Sequence, residues 1–267
     1  MFELIEPIGV IPYSADEPNE AMFALGFTNY WDTYFAGRAA PLGLVAAEVV
    51  DALFYNFAPG EVARHIPKVW HIATPELAIA ARELGCVKAL RRILGNHVDS
   101  PAFARAAELL TKAASSAPVE GRPMYAALRA MQVPDDVVAR LFHAASLLRE
   151  HRGDGHIAAL MTEGVGGLEA HVLYALGMDM PAEEFGRIHH LPHAQIDAVK
   201  DGMRDRALIG DDGWLSEQGR AVKQRVESLT DHLAVRPYGN LEPGELDALT
   251  DALEPLATVL LAAQDWS

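Results

Sequence analysis

The decapeptide Leu147-Leu148-Arg149-Glu150-His151-Arg152-Gly153-Asp154-Gly155-His156 constrains the fold more than any other stretch, because it sets six ionisable side chains directly after an apolar helix. That helix starts at Pro134, carries Asp135 and Asp136 at the positive end of its dipole, and runs through Val138, Leu141, Phe142, Ala145 and Leu148. A charge carried into a core must be paired or hydrogen-bonded, since leaving it alone costs several kcal/mol. The two glycines predict a break, with Asp154 capping a new helix near Gly155 and with Arg149 and Arg152 complementing the preceding helix end.

Two readings of the decapeptide stay open. In one it is a helix-to-helix connector locked by ion pairs. In the other it is a site: Arg38, Arg149 and Arg152 hold the carboxylate or phosphate of an anionic small molecule, while His151, Asp154 and His156 move a proton. A metal is not expected, because His151 and His156 are five apart and no His-Glu-x-x-His or Cys-x-x-Cys pattern accompanies them. Walker, dinucleotide-type and Gly-x-Ser-x-Gly motifs are also missing, so no cofactor is expected.

At 267 residues, a two-domain chain is the expectation, with a helical domain over 1–145 and a second domain over 146–267. No uncharged apolar run approaches membrane-spanning length, and the start Met1-Phe2-Glu3-Leu4-Ile5-Glu6 is acidic. These features predict a cytoplasmic protein with no membrane partner. The lone Cys86 reads as a small buried residue. A formal charge of −15 opposes non-specific nucleic-acid binding, which needs clustered Lys and Arg to release counterions. DNA contact would require a local patch.

The first half reads as a helical array. Leu4, Ile5, Ile8 and Ile11 have helical spacing. Thr28 is placed to cap a helix bearing Tyr30, Trp31, Tyr34 and Phe35, and an apolar helix spans Val45 to Phe57. Arg38 is the only charge in the turn between them. Thr74-Pro75 and Ser100-Pro101 combine an N-cap with proline at the first helical position. Ser115 to Pro123 reads as a loop.

Downstream, short helices are expected over Ile157–Glu163, Leu168–Leu176 and Pro181–Ile188. An amphipathic helix then runs from Pro192 toward Ile209, Gly210-Asp211-Asp212-Gly213 forms a hairpin turn before Trp214-Leu215, and Ser216 opens a helix to about Ala234. A last helix, with Pro255 inside it, spans about Glu242 to Ala263.

This order resembles MarR-type winged-helix regulators on Val199 to Ile209 and on Leu215-Ser216-Glu217-Gln218-Gly219-Arg220. The whole chain also resembles a group of actinobacterial helix-turn-helix proteins. The resemblance implies a mainly α fold with an N-terminal helical domain and a C-terminal winged helix bearing a small β-wing. A homodimer joined through terminal helices is expected, and a small-molecule-responsive transcriptional regulator whose first half binds the small molecule and whose second half meets DNA, with His193, Gln195, Lys200 and Arg204 as the candidates for that contact. The charge departs from the pattern. Between Glu183 and Arg236 there are eight Lys or Arg against ten Asp or Glu, and the wing tip reads Asp211-Asp212-Gly213-Trp214. An enzyme or ligand-binding protein of specialised metabolism that keeps the winged helix as a scaffold therefore stands beside the regulator.

Overall fold

The cap signals locate the long helices. Thr74 and Ser100 accept hydrogen bonds from the backbone N–H of Leu77 and Phe103, at 3.4 and 3.1 Å, and each is followed by a proline that donates no N–H of its own. The computed structural model describes residues 1–185 and 191–263, and fourteen α-helices succeed one another among them. They are α1 (Phe2–Gly9), α2 (Ile11–Ser14), α3 (Asp16–Phe23), α4 (Tyr30–Ala39), α5 (Ala47–Phe54), α6 (Glu61–His65) and α7 (Pro75–Leu94). After these come α8 (Pro101–Ala114), α9 (Pro123–Arg129), α10 (Val137–Thr162), α11 (Gly167–Gly177), α12 (His193–Asp205), α13 (Glu217–Ala234) and α14 (Pro243–Ala263).

The main departure from expectation is α10. Instead of a break at Gly153 and Gly155, one 26-residue helix continues through both. Each glycine costs about 1 kcal/mol of helix propensity, and burial on several sides of α10 outweighs that. Residues from Leu141 to Leu148 are buried without interruption, which leaves little amphipathicity and marks a helix enclosed all round over that stretch. Asp154 accordingly caps no helix at Gly155.

The chain divides into two compact units. The first comprises Met1–Ala46, His65–Asp154 and Ala234–Ser267; the second comprises Ala47–Arg64 and Gly155–Leu233. The boundary expected at 145/146 falls inside α10. In the first unit, α14 lies on α1 and α8, and α3 runs along α7. Their core contains Ile5, Ile8, Leu90, Leu94, Phe103 and Leu110, together with Tyr125, Leu141 and Leu147. Cys86 is fully buried there, and burial pushes its thiol up to about 12. Asn29, one residue after the expected Thr28, caps α4 by accepting from the N–H of Asp32 at 2.9 Å.

In the second unit, Leu160, Val172, Leu176, Ile196, Met203, Leu208, Leu215, Val222 and Val226 form a separate core. The expected helix Val45–Phe57 shortens to α5, which ends at Phe54 before Tyr55, whose φ is +57°. The expected helix Pro181–Ile188 is a 3-10 turn over Ala182–Glu184, and its remainder reaches outside the described residues.

The small β-wing is not formed as expected. Ile209 and Leu215 make one antiparallel bridge, and no strand occurs among the described residues. The turn between them is nonetheless well bonded. Gly210 N–H donates to Trp214 O at 2.8 Å, and the Asp212 carboxylate accepts from Trp214 N–H at 3.0 Å. A longer ladder has no room: Ile209 and Leu215 are drawn into the core, and Ser216 already caps α13 by accepting from Gly219 N–H.

Candidate functional site

His143, Ser146, Glu150 and Asp154 fall at i, i+3, i+7 and i+11, so on one long helix they share a face. All four are buried on α10 within the first unit. Sequence reasoning took Glu150 and Asp154 from this stripe and missed the other two. The signal was there, since His143 and Ser146 are the polar interruptions of an otherwise apolar helix after Arg140.

At the centre of the stripe, Glu150 receives two guanidinium groups. Arg38 Nη2, on α4, lies 3.2 Å from Glu150 Oε2, and Arg149 Nη1 lies 3.4 Å from Oε1. Arg149 also donates from Nε and Nη2 to the two carboxylate oxygens of Glu6, at 3.0 and 3.2 Å. Arg38 Nη1 donates to the Tyr34 hydroxyl at 3.1 Å. Burial alone would raise the Glu150 carboxyl, but Arg38 and then Arg149 outweigh it and hold the group below its usual range. Arg38 and Arg149 are shifted the other way, further toward the protonated form, by the same attractions. The first unit therefore brings Arg38 and Arg149 together, as the ligand reading required, with a carboxylate already between them.

Asp154 closes the stripe by capping a different helix from the expected one. Its carboxylate accepts from the N–H groups of Tyr125 and Met124, at 3.0 and 3.4 Å, at the start of α9. Burial raises its pKa from 3.8 to about 6; the bond from Tyr125 works against that shift and the charge of Glu150 adds to it. Between those two pH values the folded state holds more protons than the unfolded state, so this group's contribution to stability falls as pH rises through the window and is flat above it. Asp154→Asn keeps an acceptor without the charge. Its stability relative to wild type should therefore improve by roughly 2–3 kcal/mol between pH 4 and pH 7, measured by urea unfolding at both pH values. A difference that does not change with pH would contradict this.

The other predicted residues scatter. The His151 ring meets the Tyr125 ring edge-on at 5.1 Å, and burial, then Arg122 and Arg236, lower its pKa to about 4, so it is neutral near pH 7. Arg152 places its guanidinium 4.2 Å from the centroid of the Phe2 ring. His156 belongs to the second unit, where Nδ1 lies 2.9 Å from the Thr230 hydroxyl.

In the second unit α12 buries Ile196 and Met203 and exposes its opposite side. The outward stripe consists of Asp197, Asp201 and Asp205 at i, i+4 and i+8, with Arg204 beside them. His193 and Gln195 are exposed at the helix start. The cations of this region are largely neutralised. Lys200 is paired with Glu183 at 2.8 Å, Arg204 with Asp201 at 2.6 Å, Arg206 with Glu169 at 2.8 Å and Arg225 with Glu163 at 2.8 Å. Arg220 and Lys223, which sequence reasoning did not select, join no ion pair with a described residue. They line a cleft of about 390 Å³ with Leu176, Trp214, Leu215 and Glu227.

In the second unit α12, the tight turn at 210–213 and α13 follow one another directly. Comparison of the chain with protein families shows that residues 1–266 match the helix-turn-helix family, and the chain belongs to it. No curated protein and no solved structure matches the chain. No helix among the described residues is long and apolar enough to cross a membrane.

Proposed function

We propose that the protein is a MarR-like, small-molecule-responsive transcriptional regulator that binds DNA as a homodimer. The observation that carries this reading is family membership over residues 1–266, together with an α12 whose first turn exposes His193 and Gln195. Side chains at the start of such a helix are the ones able to reach base edges. Lys200 and Arg204 would meet phosphates only after leaving Glu183 and Asp201, so much of the electrostatic contact falls to Arg220 and Lys223. Anisotropy titration with labelled DNA from the chain's own promoter, at moderate salt, tests this. The expected result is saturable binding, weakened at least tenfold in the His193→Ala, Gln195→Ala double variant; no saturable binding would sink the reading.

A second reading is favoured by the acidic stripe of α12 and its neutralised neighbours. In it the chain is a ligand-binding protein or enzyme that keeps the second unit as a scaffold, with Arg38, Arg149 and Arg152 holding an anionic small molecule and His151 and Asp154 handling protons. The cavity beside Arg38, Arg149 and Glu150 has a volume of only about 10 Å³, so occupancy would require the Arg38–Glu150 pair to part. Saturable promoter binding would overturn this reading, because a scaffold has no need of DNA.

A further inference from the structure

Three small cavities of the first unit meet at one side chain, that of Arg82 on α7. The first, beside Arg38 and Glu150, and the second, beside Tyr13 and Tyr34, have volumes of about 10 Å³ each. The third, beside His143 and Ser146, has a volume of about 30 Å³. Arg82 lines all three and joins no ion pair with a described residue. It is held by a 3.3 Å hydrogen bond from Nη2 to the Tyr13 hydroxyl and by two aromatic faces, Tyr13 and Phe142, each 5.8 Å from Cζ. Contacts of that kind are weak, about 0.5–1 kcal/mol each for a partly exposed ring face. Moving this one side chain would join the lobes.

What lines the third lobe calls for a polar partner. His143 and Ser146 are 5 % and 6 % exposed, and neither Nε2 of the histidine nor Oγ of the serine finds a hydrogen-bond partner. A buried polar atom left unsatisfied costs about 1–3 kcal/mol, and native proteins leave few of them. Arg38 and Arg149 are matched by Glu150 and Glu6, whereas Arg82 joins no ion pair with a described residue. Glu83 shares the lining of the third lobe, and burial, then Asp136, push its carboxyl up from the usual value. Burial likewise lowers the pKa of His143, so its ring is neutral and can accept or donate one bond. The remaining walls are apolar: Pro41, Ile79, Leu128, Met131 and Phe142.

We infer that this divided cavity is a binding site for a small organic monocarboxylate with an apolar body. Its carboxylate takes the two parallel N–H donors of Arg82. Ser146 and His143 bond to the ligand's polar end, and the body lies against Leu128, Met131 and Phe142. The inference rests on the small-molecule-responsive part of the regulator reading and gives that responsiveness a place. It is tested without DNA, so its failure leaves the DNA-binding reading intact and a failure of DNA binding leaves this site intact.

The experiment is calorimetric titration of the full chain with phenylacetate, with 2-phenylethanol as the uncharged counterpart, followed by a crystal structure with phenylacetate. The expected result is saturable one-to-one binding of phenylacetate, at least tenfold tighter than the alcohol, with a rise in melting temperature. Arg82→Met should lose at least tenfold in affinity, and Ser146→Ala several-fold. Arg82→Lys, which keeps the charge without the planar fork, should fall between wild type and Arg82→Met. Three results would overturn the inference: no saturable binding of phenylacetate, equal binding of acid and alcohol, or a crystal structure with only water beside His143 and Ser146.

Discussion

Glu150→Ala is expected to destabilise the first unit by about 3–5 kcal/mol, the cost of removing one partner from a buried ion pair. The carboxylate is 6 % exposed and is the acceptor that Arg38 and Arg149 share. Without it, two guanidinium groups stay in the interior with only Glu6 as a facing carboxylate, and water cannot solvate them without opening the packing around α10. The conservative Glu150→Gln keeps the shape and one acceptor oxygen but loses the charge, so it should recover only a minor part of the loss. Urea unfolding followed by circular dichroism at pH 7 measures both. A loss under 1 kcal/mol for the alanine variant would mean that the cluster is a solvated surface network, whose pairs contribute little. The same result would reopen the notion of a preformed anion site, because the arginines would then be free to take another partner.

Gly219→Ala should be among the most damaging small substitutions in the second unit. A Cβ at this position would lie 2.1 Å from the carbonyl oxygen of Leu208. Both sides of that clash are backbone, so no rotamer relieves it, and α13 must shift away from the 208–215 turn. Overpacking of this kind costs about 1–3 kcal/mol or more. The sign is informative because alanine favours an exposed helix interior by about 0.5–1 kcal/mol over glycine. Gly202, on α12, provides the matched control: nothing lies within 4 Å of its ideal Cβ, so Gly202→Ala should stabilise. Thermal unfolding of the two variants should therefore give shifts of opposite sign. A positive shift for Gly219→Ala would contradict the close packing of α13 against the turn.

The glycine in the Ser216-Glu217-Gln218-Gly219-Arg220 signature illustrates what the sequence made legible. Local chemistry placed the caps at Thr74, Ser100 and Ser216, the loop from Ser115 to Pro123 and the turn at 210–213, because each is decided by residues within a few positions. The continuity of α10 was not legible. Gly153 and Gly155 lower helix propensity locally, and the burial that overrides them comes from elements far along the chain. Asp154 reads as a cap for its own neighbourhood, yet it serves α9, thirty residues earlier. Glu6, the partner of Arg149, and Arg82, the divider of the cavities, gave no signal either, since nothing close in sequence marks them. The β-wing was over-read from a genuine turn: Gly210, Asp212 and Gly213 make the reversal, but the flanking residues enter the core after one bridge.

The central functional claim is that a helix-turn-helix unit with an acidic α12 binds DNA through few charge contacts. The most direct test is the slope of the logarithm of the DNA association constant against the logarithm of salt concentration. Each phosphate neutralised contributes about −0.9 to that slope. With Arg220 and Lys223, and at most Lys200 and Arg204 beside them, as the available cations of each protomer, a homodimer is expected to give a slope between roughly −4 and −7 on this rule. It should become shallower by about 4 in the Arg220→Ala, Lys223→Ala double variant. A slope steeper than about −9 would mean that a basic surface elsewhere in the chain carries the binding. The absence of saturable binding across the salt series would contradict the claim outright.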